Sequence, residues 1–192
     1  KEELLPIAEL VEKHNLLVLS DEIYSDLTYG LKHTSFAELP GMKNRTILVS
    51  GFSKSLAMTG WRVGYAIGPK QIINEMTKIH QYTILCAPIM AQRAALEGLK
   101  NGRKEVDYMV AQYDERRKYV YKRLTGMGLT CFEPKGAFYI FPSIKETGFN
   151  AYAFAEQLLH EQKVAVIPGG AFGKSGADHI RIAYANSFEN LK

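Results

Sequence analysis

The sequence lacks most of the features that would place it in a special class. Its 192 residues contain two cysteines, Cys86 and Cys131, one tryptophan and no long apolar run. The cysteines have neither C-x-x-C spacing nor a histidine at metal-ligand spacing, which argues against a zinc site or other metal site and against a disulfide framework. Two free, buried thiols in a reducing cytoplasm are expected. No apolar stretch reaches the roughly 18 residues that a membrane span needs, and no secretory leader is expected. Charge of one sign is lacking too: 24 basic and 20 acidic residues leave a net +4. Without a basic stripe interleaved with aromatics, that balance gives no ground for a nucleic-acid partner. Eleven tyrosines and nine phenylalanines read as core rather than as a stacking surface. There is no initiator methionine, and "KEELLPIAELVEKHN" reads as a helix already under way. A piece of a longer protein is expected.

What is present is ordinary globular material, 46% hydrophobic and 23% charged, enough for one large domain or two small ones. Leu4, Leu5, Ala8 and Val11 recur at helical spacing over 2–14. "LLVLSDEIY" follows, an apolar run ending in acids, which predicts a buried parallel strand over 16–20 with polar cargo at its carboxyl end. Further strands are predicted at 46–50 and 62–68, then helices at 70–82, 88–100 and 103–125. The charged face of the last helix is expected to be solvated. After the glycines of "TGMGL" the pattern becomes α+β, with strands near 129–132, 137–141, 164–167 and 179–184 and a helix over 150–162. The composition shift at 126–128 suggests a domain boundary. Helix, strand, connection, strand, strand points to an open α/β sheet, where ligands sit beyond the carboxyl ends of strands. That rule puts Asp21 and residues 50–54 in one crevice.

The chemistry centres on "VSGFSKSLAMTGWRVGYAIGP", residues 49–69. A lysine held in an apolar, glycine-lined pocket has its charged form disfavoured, and its neutral amine attacks carbonyls to form Schiff bases. Lys54 is the candidate; the alternative is a solvated loop lysine. An S-x-x-K reading fails because position 51 is glycine. "PGGAFGKSG" (168–176) fails as a phosphate loop because Pro168 stands where the pattern needs glycine and no long helix follows. Asp21 could equally cap a short helix opened by "SDEIY". Arg181, among Ile180, Ile182 and Tyr184, needs an anionic partner if buried. None of the five histidines is assigned to catalysis.

Four blocks, in order, carry a resemblance: "SDEIYSDLTY", "GFSKSLAMTGWRVG", "KGAFYIFP" and "HIRIAYA". They resemble the class I/II aminotransferases, fold-type I enzymes that use pyridoxal 5′-phosphate (PLP). The resemblance implies the C-terminal part of such an enzyme: a partial large PLP-binding domain over 1–102 with a mostly parallel sheet, a bridging helix over 103–126 and a small α+β domain over 127–192. It implies that Lys54 holds PLP through a Schiff base and then serves as the base that moves a proton at the substrate Cα. Asp21 would pair with the pyridine nitrogen, Tyr24 would reach the ring hydroxyl and Arg62 would grip the phosphate. Arg181 would clamp the substrate α-carboxylate, and Phe138 would wall the substrate side. Substrates would be an amino acid and a 2-oxo acid, 2-oxoglutarate by family habit, in a cytoplasmic homodimer.

One position departs from the family. Gly51 stands where many relatives have a serine that contacts the phosphate, so Arg62, backbone N–H groups and Ser53 would carry more of that contact. An asparagine, a ring-stacking residue and a glycine-rich phosphate loop belong to the family upstream of residue 1. The chain alone is therefore expected to hold PLP weakly. Two rivals share much of the pattern: a C–S β-lyase or other PLP-dependent lyase of the same fold, and a non-catalytic aminotransferase-like regulatory domain.

Overall fold

Pro6 opens the first helix. Its fixed φ suits a first turn, where its missing N–H is not needed. A 3-10 turn at Glu2–Leu4 thus runs straight into α1, Leu5–Lys13. Ala8 and Val11, one turn apart, share the face that packs on Phe36, Leu39 and Met42. Asn15, at φ 49°, turns the chain out of the helix; asparagine takes the left-handed region more readily than most residues. The structure, a computed structural model, describes residues 1–192. It is mixed α/β and forms two compact units, Lys1–Tyr108 and Met109–Lys192.

The first unit is built on three strands. β1, Val18–Asp21, runs parallel to β2, Thr46–Gly51, with Asp21 opposite Val49. The chain leaves β2 through the one-turn helix α2, Phe52–Ser55, and returns as β3, Gly64–Ile67, antiparallel to β2 with Gly64 opposite Gly51. A Cβ on Gly64 would stand 2.9 Å from the Ser50 carbonyl oxygen, and one on Gly51 3.1 Å from the Gly64 Cα. Side chains at these two positions would push the strands apart at the point where α2 departs. Two helices follow, α3, Lys70–Thr83, and α4, Ile89–Asn101.

The expected buried strand over 16–20 needs correction. It begins at Val18, and Leu16 and Leu17 are exposed. Its side chains alternate, as a pleated strand requires: Leu19 is 70% exposed, whereas Glu22, just past the strand end, is 7% exposed.

The division between the units falls within α5, Arg103–Gly126. Its charged face is not simply solvated. Arg117 is buried, with its guanidinium 2.7 Å from Asp114 and 2.6 Å from Glu133, and it also donates to the Pro134 carbonyl. The second unit adds β4, Tyr139–Ile140, α6, Ala151–Gln162, β5, Ile167–Pro168, β6, Ile180–Ala183, and a last turn α7, Phe188–Leu191. β6 lies between β4 and β5, antiparallel to both. β4 stops short of Pro142 and β5 ends at Pro168, where the missing proline N–H cannot extend a ladder. Asn150 caps α6 by accepting from the Tyr152 and Ala153 N–H groups. Ile144, Ala151 and Ile180 form the core beneath it, flanked by Phe154, Val166 and Ile182. The strand expected near 129–132 does not form. Ser143 N–H donates to the Thr130 carbonyl, but Phe132 is almost fully exposed. The thiols also differ from expectation: Cys86 is exposed and Cys131 half-buried. No helix is long and apolar enough to cross a membrane.

Candidate active site

Strand order gathers five of the singled-out residues at one end of the first sheet. Asp21 is the last residue of β1. β2 ends at Gly51 and α2 starts at once, so Ser53 and Lys54 lie within one turn of the strand end. Because β3 is antiparallel, its first residue, Gly64, faces Gly51, and Arg62 sits two residues before it at that same end. Tyr24 lies in the turn after Asp21, where its carbonyl accepts from Leu27 N–H.

A four-residue helix has no stability of its own, so packing must orient Lys54. Phe52 and Ser55, three apart, point inward and are buried. Phe52 joins Met58, Val63, Ala91 and Ala95, with Leu56 packed against them. Leu56 packs closely on α4 at Gly98, where a Cβ would come 2.4 Å from the Leu56 Cδ1 and make that side chain shift. With Phe52 and Ser55 turned in, Ser53 and Lys54 occupy the half-buried flank. A cavity of about 180 Å³, lined in part by Ile23, Ser50, Phe52, Ser55 and Arg103, lies on the inward side of α2, and Lys54 is not among its walls.

The return from α2 to β3 is strained. Ala57 and Arg62 both stand at φ 52°, and Arg62 has ψ 51°. Left-handed backbone costs an ordinary L-residue roughly 1–2 kcal/mol, and such outliers gather where function demands them. Arg62 is exposed, and its Nη1 donates to the Thr59 carbonyl at 2.8 Å.

Asp21 caps no helix. Its Oδ1 accepts from the Ile23 N–H at 3.2 Å, and the chain turns instead. The carboxylate is on the exposed face of β1. Ser50 is taken up elsewhere, since its buried hydroxyl donates to the Glu22 carbonyl oxygen at 3.2 Å. That leaves Ser53 as the half-buried serine beside Lys54.

Sequence reasoning missed Glu22. Its Oε1 accepts from Ser20 Oγ at 3.0 Å, Ser35 Oγ at 2.8 Å and Phe36 N–H at 3.2 Å, and its Oε2 lies 2.9 Å from His33 Nε2. Burial pushes this carboxyl up, but the hydrogen bonds from His33, Ser35, Ser20 and the Phe36 N–H more than offset it and hold it below its ordinary value. The period-2 pattern, which puts Ser20 and Glu22 opposite Asp21, was the available signal.

In the second unit, Arg181 lies half-buried on β6. No carboxylate of this unit pairs with it. Aromatic faces hold it instead, with its guanidinium carbon 4.4 Å from the Tyr139 ring centre and 4.5 Å from that of Phe172. Phe138 is half-buried, its ring 4.7 Å from Tyr139 and 5.5 Å from Tyr113, and its carbonyl accepts from Tyr184 N–H.

The family profile "Aminotransferase class I and II" matches residues 1–191. YugH of Bacillus subtilis (strain 168) is 55% identical over 192 residues, covering all of this chain and 50% of its own length. Aspartate aminotransferase of Pyrococcus abyssi is 49% identical over 195 residues, again with all of this chain and 50% of its own length covered. The crystal structure of an aromatic aminotransferase from Pyrococcus horikoshii OT3 superimposes with a TM-score of 0.96 at 48% identity, over the whole chain here and 52% of that one. The chain thus spans about half the length of the curated relatives it matches. With a match over nearly every residue and relatives at this identity, the chain belongs to the class I and II aminotransferases.

Proposed function

We propose that this chain is part of a PLP-dependent enzyme that moves an amino group between an amino acid and a 2-oxo acid. The observation that supports this is that an acid, an amine and a guanidinium, on Asp21, Lys54 and Arg62, all belong to segments at one end of a single sheet. Such a set fits a ligand with an aldehyde, a basic ring nitrogen and an anionic tail. Bound PLP supplies an electron sink for negative charge at the substrate Cα.

The residues have separate tasks in this reading. Lys54 would hold the cofactor through its amine, and its Nζ is placed to take the proton from the substrate Cα. The Asp21 carboxylate keeps the ring nitrogen protonated. Tyr24 reaches the ring hydroxyl. Arg62 and Ser53 hold the phosphate, with a planar, permanently charged fork matched to an anion. Arg181, steadied by two ring faces and lacking a carboxylate partner in its unit, takes the substrate α-carboxylate, and Phe138 walls the substrate side. Residues 1–102 form part of a large PLP-binding domain, 103–126 a bridging helix and 127–192 a small domain. The full-length protein works as a homodimer in the cytoplasm with 2-oxoglutarate as acceptor. The 192-residue chain by itself holds PLP weakly and turns over slowly or not at all.

Borohydride reduction of the full-length protein with PLP, followed by peptide mapping, should find the pyridoxyl group on Lys54. Lys54→Ala should lower amino transfer about a hundredfold or more. Label on another residue, or an active Lys54→Ala variant, overturns the reading.

A further inference from the structure

The most heavily bonded buried side chain in the first unit is one that the proposed chemistry does not use. Glu22 follows Asp21 directly, on the opposite side of the strand line. Its carboxylate gathers one donor from its own strand, Ser20, and three from the segment 33–36: His33, Ser35 and the Phe36 N–H. Its backbone is fixed as well: its N–H donates to the Val49 carbonyl at 2.8 Å, and its carbonyl accepts from Ser50 Oγ. Asp21 lies between Ser20 and Glu22 and has one hydrogen bond of its own side chain, from Ile23 N–H. It stands at the tip of an edge strand, where the ladder ends.

We propose that Glu22 is a positioning residue for the Asp21 carboxylate, with Ser35 and His33 as its supports. The inference rests on the reading of Asp21 as the partner of the cofactor ring nitrogen. A functional carboxylate must be held within about 0.5 Å of its working place. An exposed side chain on a strand tip does not achieve this alone. Glu22 anchors the residue next to it: any rotation of the Asp21–Glu22 peptide would pull a buried anion off its donors, and a buried carboxylate left short of donors is costly. The fixed backbone then determines where the Asp21 side chain points.

The test measures PLP affinity by equilibrium dialysis in the full-length protein, alongside thermal melting of the cofactor-free forms. Asp21→Asn is expected to weaken PLP binding about tenfold or more. Glu22→Gln keeps the shape but turns one acceptor oxygen into a donor facing other donors; it should weaken binding about fivefold or more. In the Asp21→Asn background, Glu22→Gln should add less than about twofold, because both act through one group. Ser35→Ala, which removes one donor and leaves the carboxylate in place, should give a smaller loss of the same kind, with kcat reduced and the amino-acid KM unchanged. If Glu22→Gln does not fold, Ser35→Ala and His33→Gln decide alone. Variants that melt lower yet bind PLP like the wild type overturn the positioning role and leave the reading of Asp21 standing. Unchanged affinity in Asp21→Asn, or no PLP binding by the wild type, overturns both.

Discussion

The two sheets of this chain have three strands each and differ in what covers them. In the second unit, Ile180 is 2% exposed, packed with Ala151 and Phe154 of α6, and Tyr184 is fully buried. In the first, Leu19 is 70% exposed and Ile67 61%, on β1 and β3. Both sheets are rich in aliphatic residues, so composition does not separate them. A strand's apolar face contributes to stability only where another element removes it from water, at about 25 cal/mol per Å² covered.

Substitutions can break or sharpen that contrast. The largest effect is expected from Tyr184→Ala, which empties a fully buried aromatic site and loses the hydroxyl bond to the Ala137 carbonyl. It should cost about 3–5 kcal/mol in urea unfolding. Arg117→Met is next. It removes a buried cation from Asp114 and Glu133, but those carboxylates are partly solvated, so about 1–2 kcal/mol is expected. Third comes acid. The Glu22 carboxyl lies below its ordinary 4.5 in the folded chain, so its contribution is fully present above that pH and fades as pH falls through the lowered value. The unfolding midpoint of the wild type should therefore drop more steeply below about pH 4.5 than that of Glu22→Gln. The smallest effect belongs to Leu19→Ser, within about 0.5 kcal/mol in the 192-residue chain despite its strand position. A Leu19→Ser cost approaching that of Tyr184→Ala would erase the contrast.

The parts legible in the sequence were those with a strong local period. The helices expected over 70–82, 88–100, 103–125 and 150–162 agree with α3, α4, α5 and α6 to within a residue or so, since each carries several turns of apolar repeat. The approach of Asp21 to the end of β2 followed from the strand order of an open sheet. Burial was far less legible. Leu16 and Leu17 read as core and are exposed, while Arg117 reads as surface and is buried. Their fates depend on partners distant in sequence: Glu133 is 16 residues beyond Arg117, and Ser35 lies 13 beyond Glu22. No window of one helix or strand contains those pairs. The segment 129–132 failed for a related reason, since β propensity forms no ladder without a second strand to receive it.

The left-handed backbone at Arg62 has one more consequence. Glycine would occupy that turn without strain, so the folded chain would gain about 1 kcal/mol from Arg62→Gly, offset in part by the lost bond to Thr59. At this corner, the more comfortable loop and the guanidinium cannot be had together: a variant that melts higher would also be the one without the side chain proposed above to hold the phosphate.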